Sequence, residues 1–129
     1  TCESDDISPP LEWGSAPQGT RSFALTCIDI DSNNRPWIHW VSWDIPGDAA
    51  GLGEDEAPPV DGRNSWRRNG YGGPCPGRGS GFHRYVFTLH ALDVETLDLS
   101  ARGALDDLEA AMEGHVLGSA VLTGRYRRD

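Results

Sequence analysis

Two apolar runs, SFALTCID at residues 22–29 and WIHWVSWDIP at residues 37–46, most constrain how this chain can fold. A strand with one solvated face alternates apolar and polar side chains, whereas these runs are apolar at most positions. By simple alternation, one face of the second run carries Trp37, His39, Val41, Trp43 and Ile45, and the other carries Ile38, Trp40, Ser42 and Asp44. The sequence therefore predicts two strands covered on both faces, as inside a β-sandwich.

Further elements follow from the spacing of apolar residues. Strands are predicted over residues 85–92 and 119–126, and a helix from Ala104 to Leu117 with Gly118 as its end. Residues 46–81 hold much of the glycine and proline, which predicts a long irregular loop of the kind that is often functional. We therefore predict one mainly β domain over residues 1–129, with one packed α-helix near the C-terminus.

The charge of the chain limits its partners. The net charge is −9 and the sequence contains no lysine, so nucleic acid, which requires clustered positive charge, is not an expected partner. No apolar run reaches the roughly 18 residues of a transmembrane segment. Because the chain opens at Thr1 without a methionine, a first strand or a leader could be missing. We expect a cytoplasmic protein, with a periplasmic or extracellular location as the alternative if a leader has been removed.

The three cysteines divide into two kinds. Cys27 lies inside an apolar run and is predicted to pack as a small hydrophobic residue. Cys2 and Cys75 lie in loop-like sequence, and both a disulfide between them and two free thiols remain open.

The glycine-rich stretch GYGGPCPGRGSGFHRY at residues 70–85 invites a nucleotide-binding interpretation. Nucleotide loops, however, place their glycines at the start of a helix, and the P-loop also needs a lysine. Here the glycines run into a predicted strand. Glycine amides can still bind an anion at close range without a lysine, so the stretch predicts an anion site of another kind.

Metal sites are weakly supported. DIDSNN at residues 29–34 opens like a calcium loop, but Asn34 stands where glycine is needed and Trp40 where glutamate is needed. A zinc site built from Cys75, His39, His83 and an aspartate lacks tight ligand spacing. We expect neither a metal nor a cofactor.

A Ser-His-Asp hydrolase is harder to set aside, because its residues assemble from distant segments. The nucleophile elbow G-x-S-x-G is missing, since Arg78 stands where an elbow around Ser80 would need its first glycine. This alternative stays open.

Six segments in chain order resemble the phosphatidylethanolamine-binding proteins, also called Raf-kinase-inhibitor-like proteins, in their short bacterial and archaeal form. They are TCESDDISPPLEW, GTRSFALTCIDID, WIHWVSWDIP, GRNSWRRNGYGGPCP, HRYVFTLHALD and AAMEGHVLGSAVLTGRY. The resemblance implies a Greek-key sandwich of two antiparallel sheets. It also implies a pocket for phosphate-like or carboxylate anions and phospholipid head groups, lined by Asp29, Trp37, His39, Gly73, Pro74, His83 and Tyr85, with Asp31 supporting the loop behind it.

The sequence departs from the family pattern in places. The usual D-P-D-x-P is replaced by residues 29–33, and Ile38 stands where eukaryotic members carry a histidine. Longer members continue into a helix that covers the pocket, whereas this chain stops at Asp129, so we expect a more open pocket. The Arg35–Pro36 bond is predicted to be cis.

Three functions are compatible with this resemblance. The leading hypothesis is a non-catalytic protein that binds a small anion such as phosphate, acetate or a phosphorylated head group. The second is an inhibitor or regulator of a protease or protein kinase, with residues 46–71 as its docking surface; a homodimer is a further expected association. The third is a hydrolase that uses His39 or His83 with a bound water.

Overall fold

The structure, a computed structural model, describes residues 6–32, 36–76 and 79–126. Its strands are β1 (Leu11–Glu12), β2 (Ser22–Asp29), β3 (Trp37–Pro46), β4 (Gly51–Leu52), β5 (Val60–Asp61), β6 (His83–Leu92) and β7 (Val116–Tyr126), and its helix is α1 (Leu105–Met112). Within these ranges we find no helix with the length and apolar character that crossing a bilayer requires.

The strands form two antiparallel sheets. One has the order β5-β3-β2-β6-β7, and β1 pairs with β4 in the other. Strand β2 lies between β3 and β6, and it contributes residues to a hydrophobic cluster on each face of the sheet, which explains why it is apolar on both faces. The predicted mainly β fold, with two antiparallel sheets and a helix near the C-terminus, is confirmed, and β2 and β3 span the predicted residues.

Each face of the large sheet packs against its own hydrophobic cluster. One cluster includes Phe23, Leu25 and Trp40 and is covered by residues of β1 and β4. The other includes Val41 and Trp43 and is covered by α1. Burial of this kind is the main contribution to stability in a domain of this size.

Cys27 belongs to the first cluster and is 1% exposed. Burial raises the pKa of its thiol, so it stays protonated and acts as a small apolar side chain. The prediction for this residue is confirmed.

Strand β3 does not alternate as predicted, because it contains bulges. Cys27 pairs with Trp40 and Ile28 pairs with Ile38, so His39 is an extra residue on β3. A β-bulge adds one residue to a strand and reverses the alternation on either side of it. His39 is therefore placed by a bulge rather than by regular pleating.

A second irregularity lies near Asp44, whose φ is 57°. As a result Ile45 packs in the cluster of Trp40, whereas Val41 and Trp43 pack in the opposite one. The prediction of a single face shared by Trp37, His39, Val41, Trp43 and Ile45 is therefore wrong.

The helix is shorter than predicted. It ends at Met112, and Gly114 adopts a φ of 82°, a left-handed conformation typical of the residue that follows a helix. Val116 and Leu117 belong to β7, where Val116 pairs with Leu92. The apolar residues Val116 and Leu117 fit both periods, so the helical pattern alone placed the end of the helix too late.

Residues 47–82, which connect β3 to β6, contain the two-residue strands β4 and β5 and otherwise run mostly as loops where they are described. Cys75 is disulfide-bonded and Cys27 is free. The predicted partner Cys2, and Arg35 of the predicted cis bond, lie outside the described residues.

Candidate functional site

A pocket of about 290 Å³ opens where β2, β3 and β6 meet. Asp29, at the end of β2, pairs with Trp37 on one side and with Tyr85 on the other. Three adjacent strand ends therefore bring distant parts of the sequence to one place. The described lining residues are Asp29, Ser32, Trp37, His39, Trp66, Cys75, Pro76 and His83.

His83 is held by a carboxylate. Its Nδ1 lies 2.7 Å from Asp29 Oδ2, and the two residues are 8% and 4% exposed. A carboxylate can only accept, so Nδ1 carries the proton that it donates to Asp29. The other ring nitrogen, Nε2, lies 3.1 Å from Ser80 Oγ. Asp29 thus fixes both the orientation and the tautomer of His83.

The turn after β2 supports this pair. The Asp31 backbone N–H donates to Asp29 Oδ1 at 2.9 Å. Asp31 itself accepts from the Arg84 backbone N–H, Nε and Nη2, each at 2.8 Å. The carboxylates of residues 29 and 31 therefore tie the turn to β6.

His39 is held by the backbone instead. Its Nδ1 donates to the Gly72 carbonyl at 2.7 Å, and burial lowers its pKa despite this bond. The ring meets Trp66 and Tyr85 edge-on, with centroids 4.9 and 5.1 Å away. His39 is therefore a neutral imidazole at neutral pH, enclosed by aromatic rings.

Trp66 reaches the pocket because Asn64 orders its loop. The buried Asn64 side chain accepts from the backbone N–H groups of Trp66 and Arg68 and donates to the Gly70 carbonyl. Ser65 then docks the loop on β3, where its backbone N–H and its hydroxyl both bond to Ile38. Asparagine is suited to such side chain-to-backbone turns.

Gly72 and Gly73 use their backbone N–H groups to hold neighbouring parts of the protein in place. The Gly72 N–H donates to the His39 carbonyl at 2.9 Å, and a Cβ at Gly72 would overlap the Trp66 ring. The Gly73 N–H donates to Asp6 Oδ1 at 2.9 Å. Both amides are therefore bonded within the protein, that of Gly72 to a carbonyl and that of Gly73 to a carboxylate.

The structure brings together four of the seven predicted pocket residues, namely Asp29, Trp37, His39 and His83. Tyr85 lies behind them, with its ring against both histidines. Gly73 and Pro74 do not line the cavity among the described residues.

The predicted anion pocket did not include four of the lining residues, namely Ser32, Trp66, Cys75 and Pro76; of these, Cys75 was considered for a site only as a zinc ligand beside His39 and His83. An isolated tryptophan within the polar segment GRNSWRRNG was the signal available for Trp66.

In both histidines Nδ1 is engaged by an acceptor, and in His83 the other ring nitrogen, Nε2, lies within hydrogen-bond distance of Ser80 Oγ. Because each Nδ1 donates to an acceptor, a neutral ring offers a lone pair at Nε2 and becomes a donor there only when protonated. The described residues include no group of three His, Cys, Asp or Glu side chains close enough to hold a metal ion. The two histidines themselves equip the pocket for hydrogen bonding and proton transfer.

Comparison with known proteins places this geometry in a family. The family model described as phosphatidylethanolamine-binding protein matches residues 1–127. The UPF0098 protein of Methanothermobacter thermautotrophicus is 46% identical, over 99% of this chain and 87% of its own length. The UPF0098 protein of Aquifex aeolicus is 44% identical, over 100% of this chain and 79% of its own length.

Two solved structures of proteins described as members or homologs of this family are also similar to this chain. Escherichia coli YbcL, described as a new member of the mammalian PEBP family, matches with a TM-score of 0.92 and 30% identity, over 99% of this chain and 84% of its own. The putative PEBP homolog CT736 of Chlamydia trachomatis matches with a TM-score of 0.88 and 33% identity, over 95% and 82%. The chain therefore belongs to the phosphatidylethanolamine-binding protein family.

Proposed function

We propose that this protein binds a small anion in the pocket, with His83 in its protonated form as the main anchor. The ligand classes are a phosphate, a carboxylate such as acetate, and a phosphorylated lipid head group. The observation that carries the proposal is the buried His83–Asp29 pair at the edge of a pocket large enough for such groups. The proposal requires binding alone and no turnover.

The charge balance explains why His83 must be protonated. Asp29 is itself a lining residue, and neutral histidines offer lone pairs rather than donors, so an anion would meet repulsion. An imidazolium at His83 would offer an N–H donor at Nε2 and a positive charge that Asp29 stabilises. His39 stays neutral because its pKa is lowered by burial.

The aromatic residues suit the organic part of a ligand. Trp37 and Trp66 line the pocket and contact each other at right angles, with ring centroids 5.6 Å apart. Such rings can pack against a carbon chain, and their faces attract an ammonium group such as that of ethanolamine. The polar and aromatic groups together fit a phosphorylated head group better than a bare inorganic ion.

The test is a titration with phosphoethanolamine, followed by calorimetry and phosphorus NMR, at about pH 6 and pH 8, on either side of the ordinary histidine range. We expect the wild type to bind about tenfold more tightly at the lower pH. His83→Ala should lose most of this binding at both pH values.

His115→Ala is the matched control, because His115 also pairs with an aspartate, Asp93, at 2.8 Å but lies outside the pocket. It should bind as the wild type does. Equal, weak binding by the wild type and His83→Ala would contradict the proposal.

A second candidate function is regulation of a protease or a protein kinase. Trp66 lines the pocket and is also 39% exposed, and it stands among the exposed arginines at 63, 67 and 68. A protein bound at this loop would therefore sense whether the pocket is occupied. Inhibition of a protease and kinase panel, measured with and without phosphoethanolamine for wild type and Trp66→Ala, tests this; identical inhibition by both proteins would contradict it.

A further inference from the structure

Three side chains at the mouth of the pocket are linked by hydrogen bonds in the order serine, histidine, aspartate, as in a catalytic triad. Ser80 Oγ lies 3.1 Å from His83 Nε2, and His83 Nδ1 lies 2.7 Å from Asp29 Oδ2. Since Nδ1 donates to the carboxylate, Nε2 of the neutral ring is the nitrogen that can accept a proton from Ser80. This is the connectivity that makes a serine hydroxyl nucleophilic.

The other histidines show that this combination is not a general feature of the molecule. His90 contacts Ser119 Oγ at 2.9 Å, but the structure pairs it with no carboxylate among the described residues. His115 pairs with Asp93. Among the described residues, His83 is the histidine that joins a serine to a carboxylate.

The local backbone holds Ser80 in a turn with its side chain exposed, as access of a substrate to a nucleophile requires. Gly79 and Gly81, on either side of Ser80, have φ values of 72° and 85°. Residues other than glycine rarely adopt such positive φ values, so the two glycines allow a sharp turn around Ser80. Ser80 is exposed, whereas Asp29 and His83 are buried. The hydroxyl is therefore accessible and its proton acceptor is shielded from water.

Strand pairing assembles the triad without the elbow motif that the sequence lacks. Asp29 pairs with Tyr85 across β2 and β6, and His83 is two residues from Tyr85 on the same face. Diagonal neighbours on a sheet lie within side-chain reach. Ser80 follows from the turn that leads into β6, so the three residues meet although Asp29 is 54 residues from His83.

We propose that Ser80 is a nucleophile with His83 as its general base, and that it accepts the acyl group of a small carboxylic ester. Ser80 Oγ bonds to the carbonyl carbon while its proton passes to His83 Nε2. The C–O bond to the leaving alcohol then breaks, and the alcohol takes that proton. Water attacks the acyl-Ser80 ester by the same route, releasing a carboxylic acid and restoring the serine.

This activity goes beyond the proposed function but is compatible with it, because the released carboxylate is one of the anions that we assign to the pocket. Turnover should be slow. The Gly73 amide donates to Asp6 rather than toward the reacting oxygen, and one oxyanion donor is worth about a hundredfold or more in rate. Covalent labelling is therefore a sharper test than steady-state hydrolysis.

The experiment is reaction of the full chain with a small alkyl fluorophosphonate, read by intact mass and by peptide mapping. Attack of Ser80 on phosphorus breaks the P–F bond, fluoride leaves, and the proton passes to His83. We expect one adduct, on Ser80, and none on Ser80→Ala. His83→Gln and Asp29→Asn should label more slowly, His83→Gln by on the order of a hundredfold, and circular dichroism should show that both variants are folded.

Ser119, next to His90 but without a carboxylate, is the internal control and should remain unlabelled. Absence of a Ser80 adduct, labelling of Ser119 at an equal rate, or an unchanged rate in folded His83→Gln would each overturn the inference. Its failure is separable from that of the proposed function. If the wild type binds phosphoethanolamine but is not labelled, only the proposed binding function stands. If it is labelled on Ser80 but does not bind phosphoethanolamine, only the proposed nucleophile stands.

Discussion

The pocket has two histidine walls that are held in different ways. In the first, the His39 wall, the ring of His39 donates to the Gly72 carbonyl and packs against Trp66 and Tyr85. In the second, the His83 wall, the ring donates to the Asp29 carboxylate and contacts the exposed Ser80. A carbonyl carries no net charge, whereas a carboxylate stabilises an imidazolium.

The difference indicates a division of labour. The His39 wall depends on close packing and backbone hydrogen bonds, and its histidine is kept neutral by burial. The His83 wall depends on charge, and its histidine can hold or pass a proton beside Asp29. We therefore expect substitutions in the first wall to change stability and substitutions in the second to change binding and reactivity.

The largest effect on stability should come from Gly72→Ala in the His39 wall. A Cβ at this position would overlap the Trp66 ring, and Gly72 bonds to His39 through both its N–H and its carbonyl. The Gly72 backbone cannot move away from the Trp66 ring without breaking its hydrogen bonds to His39. We expect a loss of about 2–3 kcal/mol in the free energy of unfolding, measured by urea denaturation.

Gly14→Ala is the control for this prediction, because a Cβ at Gly14 would meet no atom within 4 Å. Its unfolding midpoint should stay close to that of the wild type. If both variants had the same midpoint, the close packing of Gly72 against Trp66 would not be a source of stability.

A smaller effect should appear in the pH dependence of stability. Burial lowers the pKa of His39 in the folded protein, so the unfolded chain binds a proton at higher pH than the folded chain does. Stability should therefore fall as pH decreases below about 6.5, the ordinary histidine value, and continue to fall until the folded pKa is reached.

His39→Gln should lose part of this acid sensitivity, whereas His115→Gln should keep it. Urea denaturation at several pH values between about 5 and 8 measures both, within the range in which histidines titrate. Equal pH dependence in wild type and His39→Gln would show that another group is responsible.

The two walls also differ in how far the sequence could predict them. The His83 wall follows in part from strand alternation, since Asp29 and Tyr85 lie at predicted strand positions and His83 lies two residues before Tyr85, where the observed strand begins. The family resemblance implied the same three residues, Asp29, His83 and Tyr85, as part of the pocket. The exact pairing of β2 with β6 needed the structure, because no local pattern encodes the register between strands that are so far apart in the chain.

The His39 wall was less predictable. A bulge places His39, and bulges leave little trace in the period of apolar residues. Trp66 reaches the pocket through the hydrogen bonds of Asn64, which lie within a loop that the sequence showed only as irregular. The hydrogen bond from the Gly73 amide to Asp6, 67 residues away, could not be predicted either. Long-range contacts of this kind follow from tertiary structure and not from local composition.

The smallest effect should come from Arg84→Gln, at the outer edge of the His83 wall. Arg84 lies across from Asp31 in a bidentate ion pair and is largely exposed. Exposed pairs contribute little because water and salt screen them. The side-chain and backbone hydrogen bonds from Arg84 nevertheless hold the pKa of the Asp31 carboxyl well below its usual range, so this contribution has a definite pH dependence.

The sign of that dependence follows from the lowered pKa. The ion pair adds stability above the unfolded carboxyl pKa of about 4, and the contribution disappears as pH falls through the still lower folded pKa. The unfolding midpoint of Arg84→Gln should therefore lie slightly below that of the wild type at about pH 6, and the two should converge in strong acid and in high salt. A difference that persists unchanged under both conditions would mean that the arginine acts through the packing of its aliphatic stem, and that charge in the His83 wall is confined to the buried pair of Asp29 and His83.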